Sequence, residues 1–132
     1  MEFKYPKEEK LKSKKTIDLL FSEGKTITKY PLRLVYIESD YGIDADSKNK
    51  LKFGVSVSKK NFKKAVDRNY FKRVLRETYR LNKHILTENL ENSFAIMFSY
   101  QTKERLKFEE INLKTIQLFQ KFLIQLQQNS TE

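Results

Sequence analysis

The 132-residue chain contains no cysteine and no tryptophan, and only one histidine. Without cysteine there can be neither a disulfide framework nor a thiolate metal site. The lone histidine, His84, has no obvious paired acid or base, so a catalytic role for it is not expected. No apolar run approaches the roughly 20 residues needed to span a bilayer. The first ten residues are charged and lack the apolar stretch of a secretory signal, so a cytoplasmic location is expected. Acidic residues are the other scarce class: 17 Asp and Glu stand against 27 Lys and Arg, for a net charge of +10. Asp44 and Asp46 hint at a calcium loop. That motif needs glycine at its sixth position and glutamate at its twelfth, where this chain has Asn49 and Val55. Segment 40–50 is therefore expected to be a solvated acidic loop, and no protein-bound metal or other cofactor is expected.

What remains is a chain with 39% hydrophobic residues, enough for one modest core. We expect one domain over 1–132, with its core at about 10–127 and frayed ends. The positive charge is concentrated. Residues 59–83 hold ten basic residues and two acids, so this window carries eight of the ten net positive charges. Crowding of one sign costs repulsion in the free protein, and a polyanionic partner is the usual reason for it.

Hydrophobic spacing predicts a first helix over 10–24, capped by Ser13 and ended by Gly24, with Ile17, Leu20 and Phe21 on one side. Residues 26–39 read as a strand interrupted by Pro31, apolar enough to be covered on both faces. Residues 51–58 alternate as a second strand, with Leu51, Phe53, Val55 and Val57 on one face. A basic loop follows at 59–64, then a long helix over about 65–82. Residues 84–92 read as a shorter helical or irregular connection, 93–100 as a further strand, and 106–127 as a last amphipathic helix. The core stripe of that helix is Phe108, Ile111, Thr115, Leu118, Phe119, Phe122 and Leu126.

On a wheel at 100° per residue, Arg68, Asn69, Lys72, Arg73, Arg76 and Arg80 of the basic helix share one arc. Val66, Tyr70, Phe71, Val74, Leu75 and Leu81 take the other side. One face thus enters the core while the other presents cations. Arginine suits phosphate because its planar fork binds two oxygens at once. Such contacts position a nucleic acid without reading its sequence. Tyr79 falls beside Arg68 on the wheel, where it reads equally as a stacking platform for an unpaired base or as a tyrosine at the core edge.

These residues carry a family resemblance. Phe53-Gly-Val-Ser-Val-Ser-Lys-Lys60, then Ala65-Val-Asp-Arg-Asn69, Lys72-Arg73 and Arg76-Glu77, resemble the signature of the bacterial ribonuclease P protein family: strand, basic loop, then an Arg-Asn-Arg helix. The resemblance runs from about 10 to 122 and takes in Phe21, Gly24 and Phe108-Glu-Glu110. Three features depart from it. Tyr70 stands where the triplet has its second arginine, Ile17 stands where an aromatic is common, and the last helix lacks the small polar cap often seen before Phe108.

The resemblance implies an α+β sandwich, a mixed sheet of about four strands with helices on one side and a left-handed βαβ crossover through the basic helix. It implies the protein subunit of an endoribonuclease whose chemistry belongs to its RNA. That RNA, with magnesium, removes the 5′ leader of precursor transfer RNA. The RNA-subunit-binding residues would be Lys59, Lys60, Lys63, Lys64, Arg68, Asn69, Lys72, Arg73, Arg76 and Arg80. The leader-binding residues would be Phe21, Ile17, Arg33, Val35 and Lys52, in a cleft between the first helix and the sheet. Neither DNA nor a membrane is an expected partner. A ribosomal-type RNA-binding protein would explain size and charge but not the motif. A helix-turn-helix would need a short helix before the basic one, where a strand stands. A protein-only nuclease would need clustered carboxylates, and only the acidic loop offers any.

Overall fold

The computed structural model describes residues 10–38, 51–90 and 92–130. The acidic segment expected as a solvated loop lies wholly outside them, as do the chain ends. Three helices and four strands follow in the order α1 (Lys14–Glu23), β1 (Lys25–Lys29), β2 (Leu32–Glu38), β3 (Leu51–Val57), α2 (Ala65–Thr87), β4 (Phe94–Tyr100) and α3 (Phe108–Ser130). The strands form one mixed sheet in the order β1-β2-β4-β3. β1 and β2 pair antiparallel, as do β2 and β4, whereas β3 and β4 are parallel and joined through α2.

The expected strand over 26–39 is in fact a hairpin. β1 and β2 fold back on each other at Tyr30-Pro31, whose peptide bond is cis. A tight turn, rather than a bulge in one strand, accommodates the proline, which has no N–H to give to a ladder. The dual apolarity of the segment holds good. Leu32, Leu34 and Tyr36 join the main core, while Val35 and Ile37 belong to a smaller cluster on the opposite face.

That smaller cluster corrects a second expectation: the helices are not all on one side. α2 and α3 cover one face of the sheet, but α1 lies on the other. There Leu20 packs with Val35, Ala95 and Met97, and Leu11, Ile17 and Ile37 close around them. Ser13 caps α1 as expected, its hydroxyl accepting from the Thr16 N–H at 3.3 Å. Gly24 ends it, but with φ of −69°, which any residue adopts. Glycine is needed there because of close approach. A Cβ would stand 2.3 Å from the Leu20 carbonyl oxygen and 2.7 Å from Val35 Cγ1.

The main core is aromatic. Phe53 of β3 stacks on Tyr79 of α2 at 3.7 Å between ring centroids, and Phe119 meets Phe53 edge-on at 6.2 Å. The expected stripe of α3 faces inward: Ile111, Thr115, Leu118, Phe119 and Phe122 are buried, and Phe108 and Leu126 are partly so. The buried hydroxyls of Thr78 and Thr115 donate to the carbonyls of Leu75 and Ile111, so their burial leaves no orphaned donor. Asn82 ties the two long helices together, donating to Thr78 O at 2.8 Å and to Asn112 Oδ1 at 2.7 Å. α2 runs to Thr87, past the expected end near 82, because Leu86 still reaches the core.

Candidate nucleic-acid interface

The basic loop between β3 and α2 is held from beneath. The Ser58 carbonyl accepts from the Phe62 N–H at 3.1 Å, and the Ser58 hydroxyl accepts from the Asn61 N–H at 3.2 Å. Phe62 turns inward and stacks on Phe71 of α2 at 4.7 Å, and Phe71 stacks on Tyr100 of β4 at 4.6 Å. With Phe62 buried, Lys59, Lys60, Lys63 and Lys64 are left exposed around it. Sequence reasoning missed Phe62. Its signal was present as a single aromatic inside the run Lys59-Lys60-Asn61-Phe62-Lys63-Lys64.

α2 presents the expected cationic face, with its members in different states. Arg73, Arg76 and Asn69 are exposed, and Lys72 is half-buried. Arg68 has a structural task. Its Nη1 donates to the carbonyls of Phe62 at 2.9 Å and Lys63 at 2.8 Å, fastening the loop to the helix. Arg80 pairs with Glu77 on the helix surface, its Nε donating to Oε2 at 3.1 Å. The hydrogen bond from Arg80 holds the Glu77 carboxyl below its usual range, and the guanidinium is correspondingly raised. The outward part of the row is thus Asn69, Lys72, Arg73 and Arg76.

Tyr79 is fully buried against Phe53 and offers no platform to a base. The wheel placed it beside Arg68, but α2 packs on both β3 and α3. Its buried arc is therefore wide enough to include residue 79. A different tyrosine is exposed. Tyr70 keeps 41% of its surface, and the Arg73 guanidinium lies over its ring at 5.7 Å. Arg105, from the loop between β4 and α3, reaches the same end of α2. Its guanidinium lies 5.4 Å from the Phe71 ring centroid, and its Nη1 donates to Asp67 Oδ1 at 3.2 Å.

The expected leader-binding residues all lie on α1 or on the face of the sheet that α1 covers. Phe21 stands out on α1 with 66% of its surface exposed, and Ile17 is half-buried beside the small cluster. Val35 is buried in that cluster beneath α1, so it cannot touch a ligand while the helix is docked. Arg33 and Lys52 share the α1 face of the sheet but sit far apart. Arg33 aligns with Ser99, and Lys52 aligns with Ala95 four residues away on β4. Strand geometry puts them roughly 13 Å apart along the strands and about 10 Å across them. Between them lies the row Val35, Met97 and Gly54. Among the described residues no group of three or more His, Asp or Glu side chains is placed to hold a metal ion.

A family model for ribonuclease P matches residues 5–123. The chain belongs to the ribonuclease P protein family. The ribonuclease P protein component of Porphyromonas gingivalis strain W83 is 43% identical over 90 residues, 67% of this chain and 62% of that relative. The match therefore spans about three-fifths of that relative's length. The ribonuclease P protein component of Dictyoglomus turgidum is 32% identical over 89% of this chain and 91% of its own length. The solved ribonuclease P protein of Thermotoga maritima superposes with a TM-score of 0.64 at 25% identity, covering 86% of this chain and 96% of that one. The chain thus shares its fold with that ribonuclease P protein.

Proposed function

We propose that this chain is the protein subunit of ribonuclease P, docking on the catalytic RNA and assisting removal of the 5′ leader from precursor transfer RNA. The observation that carries the reading is the division of one structural unit into two sides. Phe62, Phe71 and Tyr79 fix the loop and helix in the core, and the same segment turns Lys59, Lys60, Lys63, Lys64, Lys72, Arg73 and Arg76 outward. Cations held in this way offset phosphate repulsion when the RNA docks and release its condensed counterions. Asn69 adds a neutral donor and acceptor within the row. Arg68 and Arg80 contribute chiefly by holding the loop and by pairing with Glu77.

In this reading magnesium is bound by the RNA, where it supplies activated water and stabilises the leaving oxygen. The protein side chains position and neutralise, and they carry no bond-making step. A second contact, to the single-stranded leader, falls to the α1 side, with Phe21 as the exposed aromatic on which a base stacks, Ile17 one turn before it on the helix, and Arg33 on the same face of the sheet. Mature transfer RNA has no leader, so this contact favours substrate over product. The partners are thus the catalytic RNA and precursor transfer RNA, with neither DNA nor a membrane. The expected location is the cytoplasm; no helix among the described residues is long and apolar enough to cross a membrane.

The test is leader removal by ribonuclease P RNA with and without the protein at low magnesium. The protein is expected to raise cleavage. Arg76→Ala is expected to weaken RNA binding and to reduce its salt slope by about 1. Phe21→Ala is expected to weaken binding of leader-bearing substrate more than of mature product. Cleavage independent of the protein would reject the reading and leave a structural RNA-binding protein in its place.

A further inference from the structure

We infer that Tyr70 forms an aromatic platform for one unpaired nucleobase of the catalytic RNA, replacing a phosphate contact with a stacking contact at the start of the basic helix. The inference rests on the proposed docking of the basic face on that RNA. Three observations carry it. The first is the ring itself: Tyr70 is among the few large apolar side chains left exposed, with 41% of its surface open. Its hydroxyl makes no hydrogen bond among the described residues. The ring is held edge-on to Phe71, at 5.0 Å and 87°, and Phe71 belongs to the buried stack. It therefore rests against the edge of the buried stack.

The second is the hollow around it. Val66, Asp67, Asn69, Tyr70, Arg73 and Arg105 line an open groove of about 530 Å³. That size falls within the range of roughly 300–1,000 Å³ typical of sites for small organic groups. The lining is mixed in the way a base requires. Val66 and Tyr70 offer apolar surface one helical turn apart. The Asn69 side chain carries both a donor and an acceptor for a base edge. Asp67 is already engaged by Arg105, which reduces its repulsion of an incoming phosphate.

The third is charge. The Arg73 guanidinium lies 5.7 Å from the ring centroid, and Arg105 also lines the groove, so two cations border the platform, available to the phosphates of a stacked nucleotide. A ring with an arginine beside it is a combination that single-stranded nucleic acids use without demanding a particular sequence. The RNA subunit is the favoured source of the base because the groove is continuous with the outward row Asn69, Arg73 and Arg76, not with the α1 side.

Three variants at one position test this. Tyr70→Phe keeps the ring, Tyr70→Leu keeps an apolar side chain without it, and Tyr70→Arg restores a cation. Each is measured for binding to ribonuclease P RNA, and separately to precursor transfer RNA, over a range of salt. Stacking predicts near-native binding for Tyr70→Phe, and for Tyr70→Leu a loss on the order of tenfold in RNA-subunit binding with an unchanged salt slope. Tyr70→Arg should steepen the salt slope without the same ring-dependent contact. All three sit on an exposed position, and thermal melts check that they remain folded. Native binding by Tyr70→Leu would overturn the platform, as would an equal loss in Tyr70→Phe, or a loss confined to precursor transfer RNA. Arg76→Ala is the control. If it flattens the salt slope while Tyr70→Leu binds normally, docking stands and the platform falls. If the wild-type chain ignores the RNA at moderate salt, docking itself falls, and the platform with it.

Discussion

The two sides of the sheet are built on very different foundations. On one side α2 and α3 close over a large aromatic core that includes Phe53, Phe71, Tyr79, Phe98, Phe119 and Phe122. On the other, α1 rests on a cluster of four buried residues, Leu20, Val35, Ala95 and Met97. The basic loop and the cationic row of α2 belong to the first side, and Phe21 belongs to the second. The surface proposed to dock on a large folded RNA is fixed by the deep core. The aromatic proposed for a flexible single strand rides on a helix with little beneath it. The difference predicts that α1 loosens before the docking face does.

Truncating the deep side should cost most. Phe71→Ala removes the middle ring of the stack linking Phe62 to Tyr100 and is expected to cost about 3–5 kcal/mol of stability in denaturant titrations. Leu20→Ala, on the shallow side, should cost less, about 2–3 kcal/mol, and its effect should be local. Hydrogen exchange is expected to rise first in the amides of α1 while those of α2 remain protected. If Leu20→Ala exposed α2 as quickly as α1, the two sides would be one cooperative unit and the contrast would fail.

The smallest effect sharpens the contrast by titration. Burial, above all, raises the Tyr100 hydroxyl above its ordinary pKa of 10, with nearby Tyr30, Glu104 and Glu110 adding to it and the hydrogen bond from the Leu106 N–H opposing it. The folded chain therefore binds this proton more tightly than the unfolded chain. The resulting stabilisation is whole below about pH 10 and is lost as pH rises through the folded-state value. Melting temperature should fall more steeply in wild type than in Tyr100→Phe above that pH. Parallel curves would show that the phenol contributes nothing.

Much of this was legible in the sequence where one force dominates. The alternation of Leu51, Phe53, Val55 and Val57, the stripe of α3 and the concentration of charge at 59–83 each follow from a single periodicity or composition. Legibility ended where two elements compete for the same residues. The hairpin at Tyr30-Pro31 has no Asn-Gly or Gly-Gly signal, so the proline read as an interruption. The side of the sheet chosen by α1 depends on which face α2 and α3 leave open, which no local pattern records. Tyr79 and Arg68 stand side by side on the wheel, yet one is buried against Phe53 and the other reaches back to the loop carbonyls. A wheel gives angles but not the breadth of the buried arc, and it is blind to bonds with the preceding loop. The five residues expected to receive the leader were taken from the cleft that the family resemblance implies, and that resemblance does not record the strand register that separates Arg33 from Lys52.

The inward turn of Phe62 has a kinetic meaning. A lysine-rich turn left to itself would sample many shapes, and an RNA would have to capture and freeze the right one. Here the backbone is already set by a ring lodged under it and by a guanidinium fastened across it. Ordering that would otherwise be charged to association has been completed during folding. If the proposed docking holds, encounter with the RNA is expected to be governed by long-range attraction and diffusion, with only the lysine side chains left to settle after contact.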